Sequence, residues 1–324
     1  MCKKTTKWII AATALLLTGG LLFVGVMAMA KWDFTKVSTT KYEINEHKIT
    51  ETYREVSLQV TDVNVTLLPS EDGETRVVCH DQKRVKHVAL VENGSLIVKA
   101  EDTRRWYDYI SFFSFGAPSV TVYLPAGAYG DLSVTGNVGD VTVPSDFSFE
   151  SVKVTVRTGD VRLSASTTGA MGLKTDTGRI FVENVTAGDM TLSTTTGGVT
   201  LMGVDCLGSV TVTVSTGVAR LTDVSCKSLV SEGGTGDLHL KNVVAEEAFS
   251  LTRGTGDVTF DGCDAAVLAV KTTTGDVKGS LLSEKVFLVT TSTGKKEVPE
   301  TVTGGRCKIT TSTGNVRITL AQGK

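Results

Sequence analysis

One short phrase returns along the chain and decides how it folds: RTGDV at Arg157–Val161, DTGRI at Asp176–Ile180, TTGGV at Thr195–Val199 and STGVA at Ser215–Ala219. It continues as GTGDL at Gly234–Leu238, GTGDV at Gly254–Val258, TTGDV at Thr273–Val277, STGKK at Ser292–Lys296 and STGNV at Ser312–Val316. The central glycines, from Gly159 to Gly314, are separated by 19, 19, 20, 19, 20, 19, 19 and 20 residues, and threonine precedes each of them. A looser copy, GNVGDV, places Gly139 twenty residues before Gly159. A period this regular is the mark of stacked repeats.

Between the glycines apolar residues alternate, as in strands. After Gly197 they are Val199, Leu201, Val204, Cys206, Val210, Val212 and Val214; after Gly256 they are Val258, Phe260, Cys263, Ala265, Leu268 and Val270. Each unit thus supplies two short strands joined by turns rich in Gly, Asp, Ser and Thr. A single winding cannot bury its apolar row alone, so it stacks on its neighbours. The predicted fold is all-β, a single-chain β-solenoid of 19–20-residue coils. Nine to ten coils at about 4.8 Å each give a rod roughly 45 Å long.

The rest of the 324-residue chain divides around this rod. Residues 1–7, with Lys3, Lys4 and Lys7, read as a cytoplasmic tail, and 8–30 as a membrane-spanning helix. Its 23 residues could cross about 34 Å, against a bilayer core of about 30 Å. An uncleaved signal fits the same stretch, and Ala28-Met29-Ala30 also offers a signal-peptidase site. All of these readings put the β part outside the cytoplasm. Residues 31–48 are polar and read as a stalk. Residues 49–130 hold further strand patterns, among them a Glu92-Asn93-Gly94-Ser95 hairpin signal, and are expected to form a small β cap domain. The rod then occupies 131–324.

Composition excludes several functions. The chain has 41% hydrophobic residues, 33 glycines, five prolines and a net charge of −2 without a basic run, which argues against nucleic acid as a partner. Four scattered histidines and six cysteines without a CxxC give no metal-ligand spacing. Cys206 and Cys226 each follow their glycine by nine residues, where other units carry Ala187, Ala245 and Ala265, so they read as small side chains of one inward ladder. A disulfide between adjacent coils is the alternative.

Asp160, Asp237, Asp257 and Asp276 share one position, but Arg179, Gly198, Val218, Lys295 and Asn315 occupy it elsewhere. That is not a calcium-binding nonapeptide pattern; an Asp bonding its local backbone in a tight turn suffices. The threonine before each glycine predicts a stacked hydroxyl row. A second set, Thr175, Thr194, Thr272, Thr291 and Thr311, is expected at the next outward position. Acidic residues converge nowhere and no nucleophile–base pair is present, so no enzyme activity, catalytic residue or cofactor is expected. The candidate binding patch is aromatic: Trp106, Tyr107, Tyr109, Phe112, Phe113 and Phe115 fall within ten residues, in a chain only 6% aromatic. Packing of those rings against the sheet is the competing use.

The order of an apolar N-terminal span, VTDVNVTLLPSEDGETRVVC, VENGSLIVKAED, WYDYI, SVTVYLPAGAY and serial TGDV units resembles the putative-adhesin β-strand-repeat family, a bacterial domain of unknown function. The resemblance covers roughly residues 50–320. It implies an extracytoplasmic β-solenoid in membrane-anchored proteins, some of them accessory to envelope-stress sensing systems, and no characterised activity. The expected role is a binding or adhesin-like scaffold at the cell envelope, with the membrane and an envelope protein or glycan as partners. A regulatory partner of a stress sensor and a purely structural surface rod are the alternatives. STGKKEV at Ser292–Val298 departs from the TGDV pattern and is expected to bulge.

Overall fold

The computed structural model describes residues 3–29, 31–32, 42–82, 85–103 and 118–321. Among the described residues one helix, Lys3–Met29, precedes elements that are all strands. Its segment Lys7–Met29 is long and apolar enough to cross a membrane, and of its side chains the protein buries Met27 and leaves the others exposed. Within it, Thr13 Oγ1 donates to the Ile9 carbonyl at 2.9 Å and Thr18 Oγ1 to that of Ala14 at 2.8 Å, so these hydroxyls need no water.

The strands form one sheet wound into a β-solenoid of about ten turns. Successive windings run parallel and in register: Leu173 pairs with Leu192, Thr177 with Thr196, Gly178 with Gly197, Ile180 with Val199 and Val182 with Leu201. Alternation along each strand sends one set of side chains inward, and that set is the core, from Val161, Leu163 and Leu173 to Val258, Phe260 and Val277. The threonines before the glycines lie in one row, Thr177, Thr196, Thr216 and Thr235 as nearest neighbours. Ala187, Cys206, Cys226 and Ala245 likewise stack. Both thiols are free and buried. Burial, with Cys206 and Glu246 nearby, pushes the Cys226 thiol up to about 12.

Two backbone corners make the winding possible. At the first, the repeat glycine has a positive φ, +142° at Gly217 and +144° at Gly256. A β-carbon there would fall on the carbonyl oxygen of the equivalent glycine one layer away. The second corner lies six residues on, where Asn184, Gly203, Asp223, Asn242 and Gly262 all adopt left-handed φ between 51° and 64°. Asn, Asp and Gly are the residues that tolerate this conformation. The second threonine set does not point outward as expected. Thr175, Thr194, Thr272 and Thr311 are at most 2% exposed. The reason is the glycine corner, whose carbonyl needs a donor: Thr175 Oγ1 donates to the Gly159 carbonyl at 3.0 Å and Thr194 Oγ1 to that of Gly178 at 3.1 Å.

Gly233 and Arg253 interrupt this inward column. Arg253 is 2% exposed and fills the space beside Gly233, donating to the Thr252 carbonyl at 2.8 Å and to Ser231 Oγ at 2.9 Å. Burial pushes its guanidinium down to about 10, so it keeps its charge at neutral pH, with no carboxylate partner among the described residues. Replacing both residues by threonine, Gly233→Thr with Arg253→Thr, rebuilds the arrangement of the other windings. The pair is expected to stabilise the rod by about 1–2 kcal/mol, because a buried charge is exchanged for a matched hydroxyl. Gly233→Thr alone is expected to destabilise, since its β-carbon would lie 2.8–2.9 Å from the Arg253 side chain. Thermal melts of the two variants check this.

The described strands between residues 49 and 130 join the rod one by one. Glu55–Gln59 runs parallel between Ser95–Asp102 and Gly127–Val138, and Asn64–Pro69 between Ser119–Leu124 and Val141–Val143. The first winding in sequence is therefore the second in space. Tyr42–Ile49, placed by sequence in a stalk, is instead a strand antiparallel to Thr75–Gln82. Its charged residues hid it, although Ile44 and Ile49 are apolar.

The far end shows the same interchange. Residues 268–274 pair with 307–313, which pair in turn with 287–293. Gly314 N accordingly donates to the Thr293 carbonyl, and Gly275 N to that of Thr313, each at 2.9 Å. STGKKEV is thus not a bulge but part of the outermost winding. The inner place falls to the winding that buries Cys307, Ile309, Val316 and Ile318. The other carries Lys296 opposite Val316, a core position; in the outermost layer that ammonium stays in water instead of being buried at a cost of several kcal/mol.

Candidate functional site

The aromatic run Trp106, Tyr107, Tyr109, Phe112, Phe113 and Phe115 lies outside the described residues. It connects Ser95–Asp102 to Ser119–Leu124, strands of the first layer of the rod. Beside the start of the second strand, Pro118 lines a small cavity of about 10 Å³ with Thr61, Asp62, Val63, Asp81, Gln82, Val85 and His87. That is about the space of one water molecule.

This neighbourhood holds a buried ionisable pair that the sequence reading did not single out. Asp81 Oδ1 lies 2.6 Å from His87 Nδ1, and both side chains are at most 1% exposed. Asp81 Oδ2 accepts from the His87 backbone N–H at 3.1 Å and from Asn45 Nδ2 at 2.9 Å. His47 Nε2 lies 3.0 Å from the His87 carbonyl. Among the described residues, His87 Nε2 is buried without a hydrogen-bond partner. The pair ties the hairpin of Thr75–Gln82 and Val85–Glu92 to Tyr42–Ile49. Alternation contained the signal: continued past Val77 and Cys79 it turns Asp81 inward, and continued past Val85 it turns His87 inward. Among the described residues, no three His, Cys, Asp or Glu side chains are grouped as a metal site.

Along the rod, polar side chains join one layer to the next. Asp160 N donates to Asp140 Oδ1 at 2.8 Å, and Arg179 N to Asp160 Oδ1 at 2.9 Å. Asp257 N donates to Asp237 Oδ1, Asp276 N to Asp257 Oδ1 and Asn315 N to Asp276 Oδ1, at 2.8, 2.9 and 2.7 Å. The recurrent Asp thus caps the backbone of the next winding, not its own turn. Partial burial pushes the Asp257 carboxyl up, but the Asp276 N–H and Lys278, 3.0 Å away, outweigh this and hold it below the usual carboxylate range. A carboxyl lowered on folding contributes stability above its unfolded pKa, lost as pH falls through the folded one. Asp257→Ala is expected to cost about 1–2 kcal/mol at neutral pH, and Asp257→Asn, which keeps the acceptor oxygen, about half of that. Urea titrations at pH 7 and pH 3 test both: the gap between wild type and Asp257→Asn should shrink at the lower pH.

Comparison with known proteins agrees with this architecture. The profile of the Toastrack DUF4097 family matches residues 53–217 and 204–324, and the chain belongs to that family. A putative adhesin from Parabacteroides merdae superposes with a TM-score of 0.51 at 12% identity, over 75% of this chain and 97% of the other. A putative lipid-binding protein from Parabacteroides distasonis gives 0.50 at 14% identity, over 75% and 98%. At these identities the likeness concerns the fold. No curated protein matches the chain.

Proposed function

We propose that the protein is a membrane-anchored β-solenoid scaffold, held outside the cytoplasm, that binds an envelope protein or glycan without catalysing a reaction. One observation carries the reading: an apolar helix that the protein leaves exposed except at Met27 is followed by a rod whose recurrent Thr and Asp side chains are used to hold layer to layer. A lipid environment suits the helix, since an apolar surface of that size is unfavourable in water. The rod offers repeated outer faces. The naming of similar folds as adhesins or lipid-binding proteins fits a binding role. The aromatic run 106–115 is the proposed contact, because Trp, Tyr and Phe supply binding surface at low entropic cost.

Two experiments test this. A cysteine at exposed Lys241, in a Cys2→Ser chain, should react with a membrane-impermeant maleimide in intact cells; reaction only after lysis would place the rod in the cytoplasm. Glycan arrays and pull-downs with residues 42–324 should find a ligand that is lost when the six aromatics become serine. Retained binding would remove the patch from the proposal. An effect on stress signalling that disappears when residues 8–30 are exchanged for an unrelated span would favour the regulatory alternative.

A further inference from the structure

The two ends of the rod are finished differently. Where the chain enters from the helix, antiparallel strands cover the last parallel ones: Val85–Glu92 lies on Ser95–Asp102, and Thr75–Gln82 lies between Ser119–Leu124 and Tyr42–Ile49. The covering strands carry Glu43, Glu46, Lys48, Lys86 and Glu92, and Lys86 Nζ reaches Glu43 at 3.4 Å. Charge of this kind keeps a sheet edge from pairing further.

The opposite end has no such cover among the described residues. Lys285–Thr293, nine residues without proline, pairs with Gly305–Thr313 on one side only. Its inward Phe287 and Val289 are half-buried, whereas Cys307 and Ile309 in the layer beneath are 1% exposed. Its outward Val286 and Leu288 are 37% and 50% exposed. The strand's one charge, Lys285, is buried and held 2.7 Å from the Asp264 carboxylate. The other half of this end is blunted by Lys296 above the core column and by Pro299. A long, neutral, apolar edge beside a charged one is a restricted docking strip.

We infer that Lys285–Thr293 pairs antiparallel with the same strand of a second copy, joining two rods end to end about a two-fold axis near Leu288. With Leu288 beside its own copy, Phe287 falls opposite Val289, Val286 opposite Thr290 and Lys285 opposite Thr291. The inward apolar column then continues from rod to rod on this face, and no like charges are opposed along the paired strands. Such a pairing satisfies both open edges at once and closes, unlike head-to-tail stacking, which would meet the charged strands of the other end.

The test uses the full chain in detergent micelles with Cys2→Ser as background. Leu288→Cys should form a disulfide-linked homodimer for most of the chain under mild oxidation, since facing residues of antiparallel strands lie within disulfide range. Lys241→Cys, midway along the rod, should not. Light scattering should give a dimer mass for the unaltered chain and a monomer mass for Leu288→Lys, with unchanged circular dichroism. A monomeric unaltered chain, equal cross-linking at 241, or a cross-link only to a different protein would each overturn the pairing. These outcomes are separable from the scaffold reading: a chain labelled from outside cells yet monomeric ends the pairing alone, and a dimer labelled only after lysis ends the scaffold alone.

Discussion

Gly217→Ala is expected to destabilise the rod by at least about 4 kcal/mol, among the largest effects a single methyl group can have. Two costs add. At φ +142° the backbone lies in a region that alanine enters only at a cost of about 1–3 kcal/mol. The new β-carbon would also overlap the Gly197 carbonyl oxygen, so neighbouring layers would have to separate and give up hydrogen bonds on both sides. Gly172→Ala is the control. There φ is ordinary and the β-carbon would meet the Val152 oxygen at 3.9 Å, normal contact; in a strand this change is expected to stabilise by about 0.5 kcal/mol. Thermal melting of the two variants gives the comparison, and amide exchange over residues 190–235 reports where the damage lies. Equal melting temperatures would mean that the glycine corner does not set the layer spacing.

Deleting a complete winding is expected to be milder than deleting half of one. Removal of residues 198–217 joins Gly197 to Val218 and lets residues 219–224 take the place of 199–204, the strand they already pair with. Each layer contacts only its neighbours, so a shorter rod with a cooperative melt and a midpoint within about 5 °C of wild type should result. Removal of residues 198–207 leaves a chain whose following strand arrives half a turn out of phase, with inward and outward sides no longer stacked. That variant should show no cooperative transition. Equal tolerance of the two deletions would be incompatible with the stack.

The repeat glycines, the threonine row and the Ala–Cys ladder were legible because each depends on spacing alone: a period of 19 or 20 brings like residues to one angular position. The second corner was equally available, as Asn, Asp or Gly six residues after five of the repeat glycines. Direction was harder. Thr175 and Thr194 look outward to a reading that gives hydroxyls to solvent, and the glycine carbonyls of the adjacent winding turn them inward. The aspartates show the same limit, since their partners lie 19, 20 or 39 residues away. The Asp81–His87 pair needed alternation to be followed past the last apolar residue of each strand.

By itself the sequence determined the class of fold, the helix that a membrane would accommodate and the identity of the stacked columns, because these follow from local period and hydropathy. Only the tertiary structure decided the order of layers at the two ends. Winding 55–69 lies inside strands 95–102 and 119–124, and 305–320 inside 285–297, against the order of the chain. Local spacing is the same for either order. The choice rests on burial compared across whole layers, which keeps Lys296 in water and places Ile309 and Val316 in the core.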